Sequence, residues 1–291
     1  QNKLWVIGGV KYSPITTGTI AQDVWSSIDG ISWIQEGTLP FSADEIHPVV
    51  FNNKMWIIGG ANGGPKNSIW SSINGIQWIR QDTNLTLSGI QDAPWGSKYQ
   101  FSFTTFKNKM WVLGGVTGNG VYTNDIWSSI DGISWVHEDT DSIISGIQNA
   151  PWDSRQGHTA LVFNNKIYIL GGAGQSTVNY GPVNDIWSSV DGINWNLVLA
   201  HAPWASHQSV GSSFPDIRFK HSSFLLNNKM FLVAGFMPSL SCSISGCTEP
   251  SNEIWSSVDG INWTQVTTTG DFIYPRYGFS TVVIPVSDLQ I

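Results

Sequence analysis

Three of the chain's four arginines share one repeated position. Arg155 stands three residues before His158, Arg218 three before His221, and Arg276 three before Phe279. Guanidinium groups converging on one point would grip a carboxylate or sulfate bidentately, which is the chemistry of acidic-ligand recognition. The matching residues are Lys98 in the second repeat and Asp44 in the first, so such a site would be asymmetric. A tripeptide Ala-Pro-Trp occurs three times and sets Trp95, Trp152 and Trp204 at equivalent points. Flat indole faces stack on sugar rings, and the indole N–H adds a directional donor. A third set is His47, His158 and His221. Three imidazoles could ligate a transition metal, but the repeat spacing holds them apart, and neither a metal nor another cofactor is expected.

Catalytic patterns are scarce. The chain contains no G-x-S-x-G elbow, HExxH, P-loop or dinucleotide fingerprint. Glycosidase chemistry needs two placed carboxylates, and the loop acids on offer are Asp44, Glu45, Asp92, Asp153, Asp216 and Asp271. Only 12% of the 291 residues are charged, the net charge is −7, and no basic run occurs, which argues against nucleic acid. No apolar stretch is long enough to span a membrane. Cys242 and Cys247 fit neither a redox CxxC nor a zinc site. They read either as a local disulfide pinning one loop, which implies an oxidising compartment, or as two thiols. Two glycosylation sequons, Asn84-Leu-Thr and Asn262-Trp-Thr, are compatible with secretion, so an extracellular or cell-surface location is expected.

The elements that carry these residues are written into the sequence as a repeat. The motif WSS-[IV]-[DN]-G-[IV]-x-W opens at Trp25, Trp70, Trp127, Trp187 and Trp255 and uses ten of the chain's 16 tryptophans. A second block precedes it: NKLWVIGG from Asn2, then NKMWIIGG, NKMWVLGG, NKIYILGG and NKMFLVAG from Asn53, Asn108, Asn165 and Asn228. Before each of the last four lies another β-type run, such as His158–Phe163. Each unit therefore holds four short strands. Asn-rich turns join the first pair, and Asp-Gly or Asn-Gly turns, a strong hairpin signal, join the last pair. Tandem four-stranded units predict an all-β, five-bladed β-propeller of antiparallel blades, a single domain over 1–291. The first unit lacks its opening strand, and an orphan strand at about 277–284 follows the last. That strand is expected to complete the blade begun at 1–36 and close the ring.

The Gly-Gly ending the second strand, followed by the paired tryptophans, resembles the kelch repeat of galactose-oxidase-type propellers. Arg155-Gln-Gly-His158 adds a kelch-like lead-in. The fifth unit departs from the pattern with Ala234-Gly235, and the Trp-to-Trp hairpin is tighter than is usual in kelch repeats. Segments such as Ser27-Ile-Asp29-Gly30-Ile-Ser-Trp33 also resemble a shortened Asp-box, the structural hairpin of sialidase-like propellers. The kelch resemblance implies that an arginine at the 155 position can bond carbonyls or carboxylates of a neighbouring blade, and that the histidine packs in the core. A galactose-oxidase-like copper site would need a Cys–Tyr crosslink, and neither cysteine is suitably placed. A sialidase would pair an arginine triad with a tyrosine such as Tyr277, but that family has six repeats where this chain has five.

Strand direction assigns the loops to two faces. The short uniform turns share one face, and the long connections that differ in every repeat share the other. A ligand is expected on the long-loop face, met by Trp95, Trp152, Trp204, Arg155, Arg218, Arg276, Tyr277, His158 and His221, with no catalytic residue. The expectation is a secreted or surface, non-catalytic binding propeller recognising carbohydrate, in particular an acidic glycan, or a protein. The alternatives are a kelch- or sialidase-like enzyme of acidic sugars and an interaction or structural module of a larger surface protein. For the Ala-Pro-Trp tryptophans the architectural alternative is a wedge between adjacent blades.

Overall fold

The computed structural model describes residues 3–8, 10–13, 16–29, 31–41, 46, 48–59, 67–81, 93–138, 150–174, 183–205, 218–238 and 248–267. The chain is an all-β, five-bladed β-propeller of antiparallel blades. It falls into two compact units: Gln1–Gln100 with Ser129–Trp135 and Ile284–Ile291, and Phe101–Ser128 with Val136–Val283.

In the first unit, β1 (Leu4–Ile7), β2 (Asp23–Ser27) and β3 (Ile34–Thr38) form the first blade. Among the described residues this blade has three strands, and the expected closing strand at 277–284 lies outside them. The second blade has four strands: β4 (Val49–Phe51), β5 (Lys54–Ile58), β6 (Ile69–Ser72) and β7 (Ile79–Gln81).

The second unit repeats the pattern three times. Its first blade is β8 (Ser102–Phe106), β9 (Lys109–Thr117), β10 (Tyr122–Ser129) and β11 (Val136–His137). The next is β12 (Thr159–Phe163), β13 (Lys166–Leu170), β14 (Ile186–Ser189) and β15 (Trp195–Leu199). The last is β16 (Ser222–Leu226), β17 (Lys229–Val233), β18 (Ile254–Ser257) and β19 (Trp263–Gln265). Strands β9 and β13 are covered on both faces, so they read as unbroken apolar runs rather than alternating ones: Met110, Trp111, Val112 and Leu113 are all buried, as are Ile167, Tyr168, Ile169 and Leu170.

The two turn types differ. Phe163 pairs with Lys166 across Asn164 and Asn165, whose φ values are 46° and 57°. That is the two-residue turn with both centres left-handed, which asparagine tolerates, as the Asn-rich spacing predicts. The Asp-Gly connection forms a hairpin of another kind. Ser189 pairs with Trp195, so five residues intervene, and in this loop only Gly192 has positive φ. The physical reason is side-chain capping. Asp191 Oδ1 accepts from the Ile193 and Asn194 amides at 2.9 and 2.8 Å and from Ser189 Oγ at 2.9 Å. The second tryptophan then closes the loop, its indole donating to the Gly192 carbonyl at 3.0 Å.

This loop also joins blades. A Cβ on Gly192 would fall 2.4 Å from the Trp111 ring of the preceding blade, and one on Gly260 would fall 2.8 Å from Tyr168. In the first unit a Cβ on Gly75 would meet Trp5 at 2.4 Å. Gly75, Gly192 and Gly260 thus each lie against an aromatic residue of the NK-x-aromatic block one blade earlier. The apolar clusters follow the same seams: Trp111, Leu113, Trp152, Ile167, Ile169 and Trp195 bridge two blades, and Tyr168, Leu170, Trp204, Met230, Leu232 and Trp263 bridge the next two.

Candidate binding face and the residues beneath it

The repeated arginine is held by a conserved local design within the chain. Strand β13 ends at Leu170 and its carbonyls turn inward where Gly171 and Gly172 take φ values of 54° and 117°. The Gly171 carbonyl accepts from Arg155 Nη1 at 3.0 Å. Asp185, at the mouth of β14, takes the same guanidinium through two oxygens at 2.6 and 3.0 Å, and Asp153 O accepts from Nε at 3.1 Å. Arg218 repeats the arrangement with Ala234 O at 2.9 Å, Trp204 O at 3.0 Å, Ser251 Oγ at 3.3 Å and the Glu253 carboxylate. Both arginines are 0% exposed.

The acids continue the chain of bonds. Trp187 Nε1 donates to Asp185 Oδ2 at 2.7 Å, and Trp255 Nε1 donates to Glu253 Oε2 at 3.2 Å. Trp25 and Trp127 do the same to Asp23 and Asp125, and Trp70 uses Ser68 Oγ. Sequence reasoning missed this acceptor, although its signal was available: an acid or serine stands two residues before every first tryptophan of the motif.

The histidines lie deeper. His221 is buried, with Nε2 3.0 Å from Thr159 Oγ1. Burial first, and the neighbouring Arg218 charge second, push its imidazole down to about 3, so it is neutral at physiological pH. His158 is also buried, its carbonyl accepting from Ser102 Oγ at 2.9 Å. The glycine that ends each Gly-Gly or Ala-Gly pair makes room for these histidines: a Cβ on Gly172 would lie 2.9 Å from His158 Cβ, and one on Gly235 would lie 2.8 Å from His221 Cβ. Among the described residues no group of three His, Cys, Asp or Glu side chains is placed to hold a metal.

The Ala-Pro-Trp tryptophans enter the seams between strands of successive repeats. Trp152 meets Trp195 edge-on with centroids 4.3 Å apart, and Trp204 meets Trp263 likewise at 4.6 Å; both are 1% exposed. Asn124 Nδ2 fastens the first of these loops through Ala150 O and Trp152 O, and Asn184 Nδ2 fastens the second through Ala202 O. Trp95 packs on Trp135 in the same way at 4.9 Å but remains half-buried. The geometry buries Arg155, Arg218, His158, His221, Trp152 and Trp204 in the scaffold. Arg276 and Tyr277, His47, the cysteine pair and all the loop acids except Asp153 lie outside the described residues. Asp153 is exposed.

A blade whose second strand ends in a left-handed Gly-Gly or Ala-Gly pair, with a buried arginine on that turn and two tryptophans bracketing the outer hairpin, defines a kelch-type propeller blade. The KLHDC2/KLHL20/DRC7 Kelch-repeats domain matches residues 49–286, and the chain belongs to that family. It is similar to leucine-zipper-like transcriptional regulator 1 of Mus musculus, 26% identical over 63% of this chain and 21% of the relative. The Homo sapiens protein of that name is 27% identical over 50% of this chain and 17% of the relative. The Drosophila melanogaster homolog is 24% identical over 70% and 20%. The chain spans about a fifth of the length of these curated relatives.

Proposed function

We propose that this chain is a non-catalytic binding propeller that takes a protein partner on its long-loop face. One observation carries the reading. Among the described residues, the sequence-predicted Arg155, Arg218, His158 and His221 are buried, and both guanidinium groups are committed to carboxylates and carbonyls of the frame. What remains to differ between repeats is the long connections, and diverse loops on a rigid frame suit recognition of a protein surface. Kinship with a kelch-repeat family supports the same class. The test is affinity enrichment with three baits: the native chain, a chain with 82–92 and 206–217 replaced by Gly-Ser linkers, and a chain with Ile31→Ser and Ile76→Ser in the hairpins. The reading requires specific capture to vanish with the loop replacements and to survive the hairpin changes.

Carbohydrate recognition is a second reading, favoured by the half-buried Trp95, whose ring keeps some access where Trp152 and Trp204 do not. A glycan array at high micromolar protein, repeated with Trp95→Ala, tests it. Absence of any binding by the native chain sinks it. The proposal also places the chain outside the cell or on its surface, on the strength of its low charge and of Cys242 and Cys247. Intact mass before and after reduction and alkylation decides whether the two cysteines are bridged.

A further inference from the structure

Four of the five hairpins carry Asp before their glycine; the second carries Asn74-Gly75. Neither residue type is free to vary widely. A Cβ at 75 would stand 2.4 Å from Trp5 and 2.8 Å from Met55 on a backbone with φ +75°, so glycine is required there. At 74 the loop requires a side-chain oxygen acceptor. Asn74 Oδ1 takes the Ile76 and Gln77 amides at 3.0 Å each and Ser72 Oγ at 3.2 Å, while the Gly75 N–H is donated to Ser72 Oγ at 2.8 Å. Asparagine satisfies that need, and with the obligatory glycine it makes the dipeptide most open to intramolecular imide formation.

We propose that Asn74-Gly75 is a gated deamidation site, closed while its hairpin is folded and reactive when the hairpin opens, converting this loop to the acidic form of the other four. In the reaction the Gly75 nitrogen gives its proton to a water or hydroxide base and bonds to Asn74 Cγ. The Cγ–Nδ2 bond breaks and ammonia leaves, taking one proton. Water then opens the cyclic imide at either carbonyl, giving aspartate or isoaspartate. In the folded hairpin the attacking nitrogen has its proton committed to the buried Ser72 hydroxyl. The carboxamide is anchored by three donors, so Cγ cannot swing toward that nitrogen without releasing them. The product has a place prepared: the same donor set receives the ionised carboxylates of Asp29, Asp191 and Asp259. Only aspartate fits it, because isoaspartate adds a backbone carbon to a turn whose glycine already touches Trp5.

Asn119-Gly120 supplies an internal comparison. Asn119 is exposed, and its side chain makes no hydrogen bond among the described residues, while Gly120 N donates to Thr117 O at 2.9 Å. The experiment incubates the folded chain and the urea-unfolded chain at mildly alkaline pH and follows both sites by peptide mapping. Folding is expected to slow conversion at Asn74 on the order of a hundredfold relative to the unfolded chain, since four hydrogen bonds must open first. Asn119 should slow much less. Ser72→Ala removes the acceptor of the Gly75 proton and should speed conversion at Asn74 in the folded chain by about tenfold, leaving Asn119 unchanged. If folding slows Asn74 no more than Asn119, the gate does not exist; that comparison uses the native chain alone and stands even if Ser72→Ala fails to fold.

Discussion

His221 carries a pH dependence that can be worked out from its surroundings. Its ordinary value is 6.5 and burial lowers it to about 3 in the folded chain, so the unfolded state binds a proton first as pH falls. Stability from this group is therefore complete above pH 6.5 and declines as pH drops toward 3. The loss between pH 7 and pH 4 should be of order 3 kcal/mol. Urea titrations at both pH values should show it, and His221→Asn should flatten the slope. Arg155 tests a different term. Replacing it with alanine leaves the Asp185 carboxylate and the Gly171 carbonyl without that donor, which should cost about 3–5 kcal/mol of unfolding free energy. Lysine should recover only part of this, because its ammonium cannot span both Asp185 oxygens.

At the scale of the element, the outer hairpin is the unit of construction. Gly192→Ala asks for a Cβ 2.4 Å from Trp111 at φ +88° and should cost about 3 kcal/mol or more, read as a lowered midpoint in urea. Asn74→Asp should do the reverse near neutral pH, raising Tm modestly, because hydrogen bonds to an ionised acceptor are the stronger kind. The acids of the other hairpins show why. At Asp259 the Asn262 amide and side chain hold the carboxyl at about 2, and at Asp29 the Ser32 and Ile31 amides do so. At Asp191 burial opposes ionisation, yet the Asn194 and Ile193 donors outweigh it and again hold it at about 2. Folded values below the ordinary 3.8 mean that this stabilisation is present above pH 4 and is lost as pH falls toward 2. The advantage of Asn74→Asp should disappear over the same interval.

For the whole molecule, the repeat made the fold legible. Strand order, antiparallel pairing and the Asn-Asn turns follow from spacing and from the few residues that tolerate positive φ. The form of the Asp-Gly hairpin did not, because its geometry depends on a side chain accepting amides two and three residues ahead, which mimics no two-residue turn. The arginines were visible as a set, but whether they faced a ligand or a neighbouring strand depended on partners far along the chain. Asp185 and Glu253, their acceptors, were readable only as part of a strand. Ring closure is the remaining architectural claim. If the strand expected at 277–284 completes the first blade, truncation after Gly270 should weaken the cooperative unfolding transition and lower Tm; unchanged cooperativity would mean the chain does not close this way.

On the proposed function, the repeats build the frame and the loops where they stop agreeing would meet the partner. Hydrogen exchange of the chain with and without the protein it captures addresses that contrast directly. Protection on binding should concentrate in 82–92, 139–149 and 206–217, with the hairpins at 27–33, 72–78 and 189–195 unchanged. Protection confined to the hairpins, with the loops exchanging as in the free chain, would contradict it.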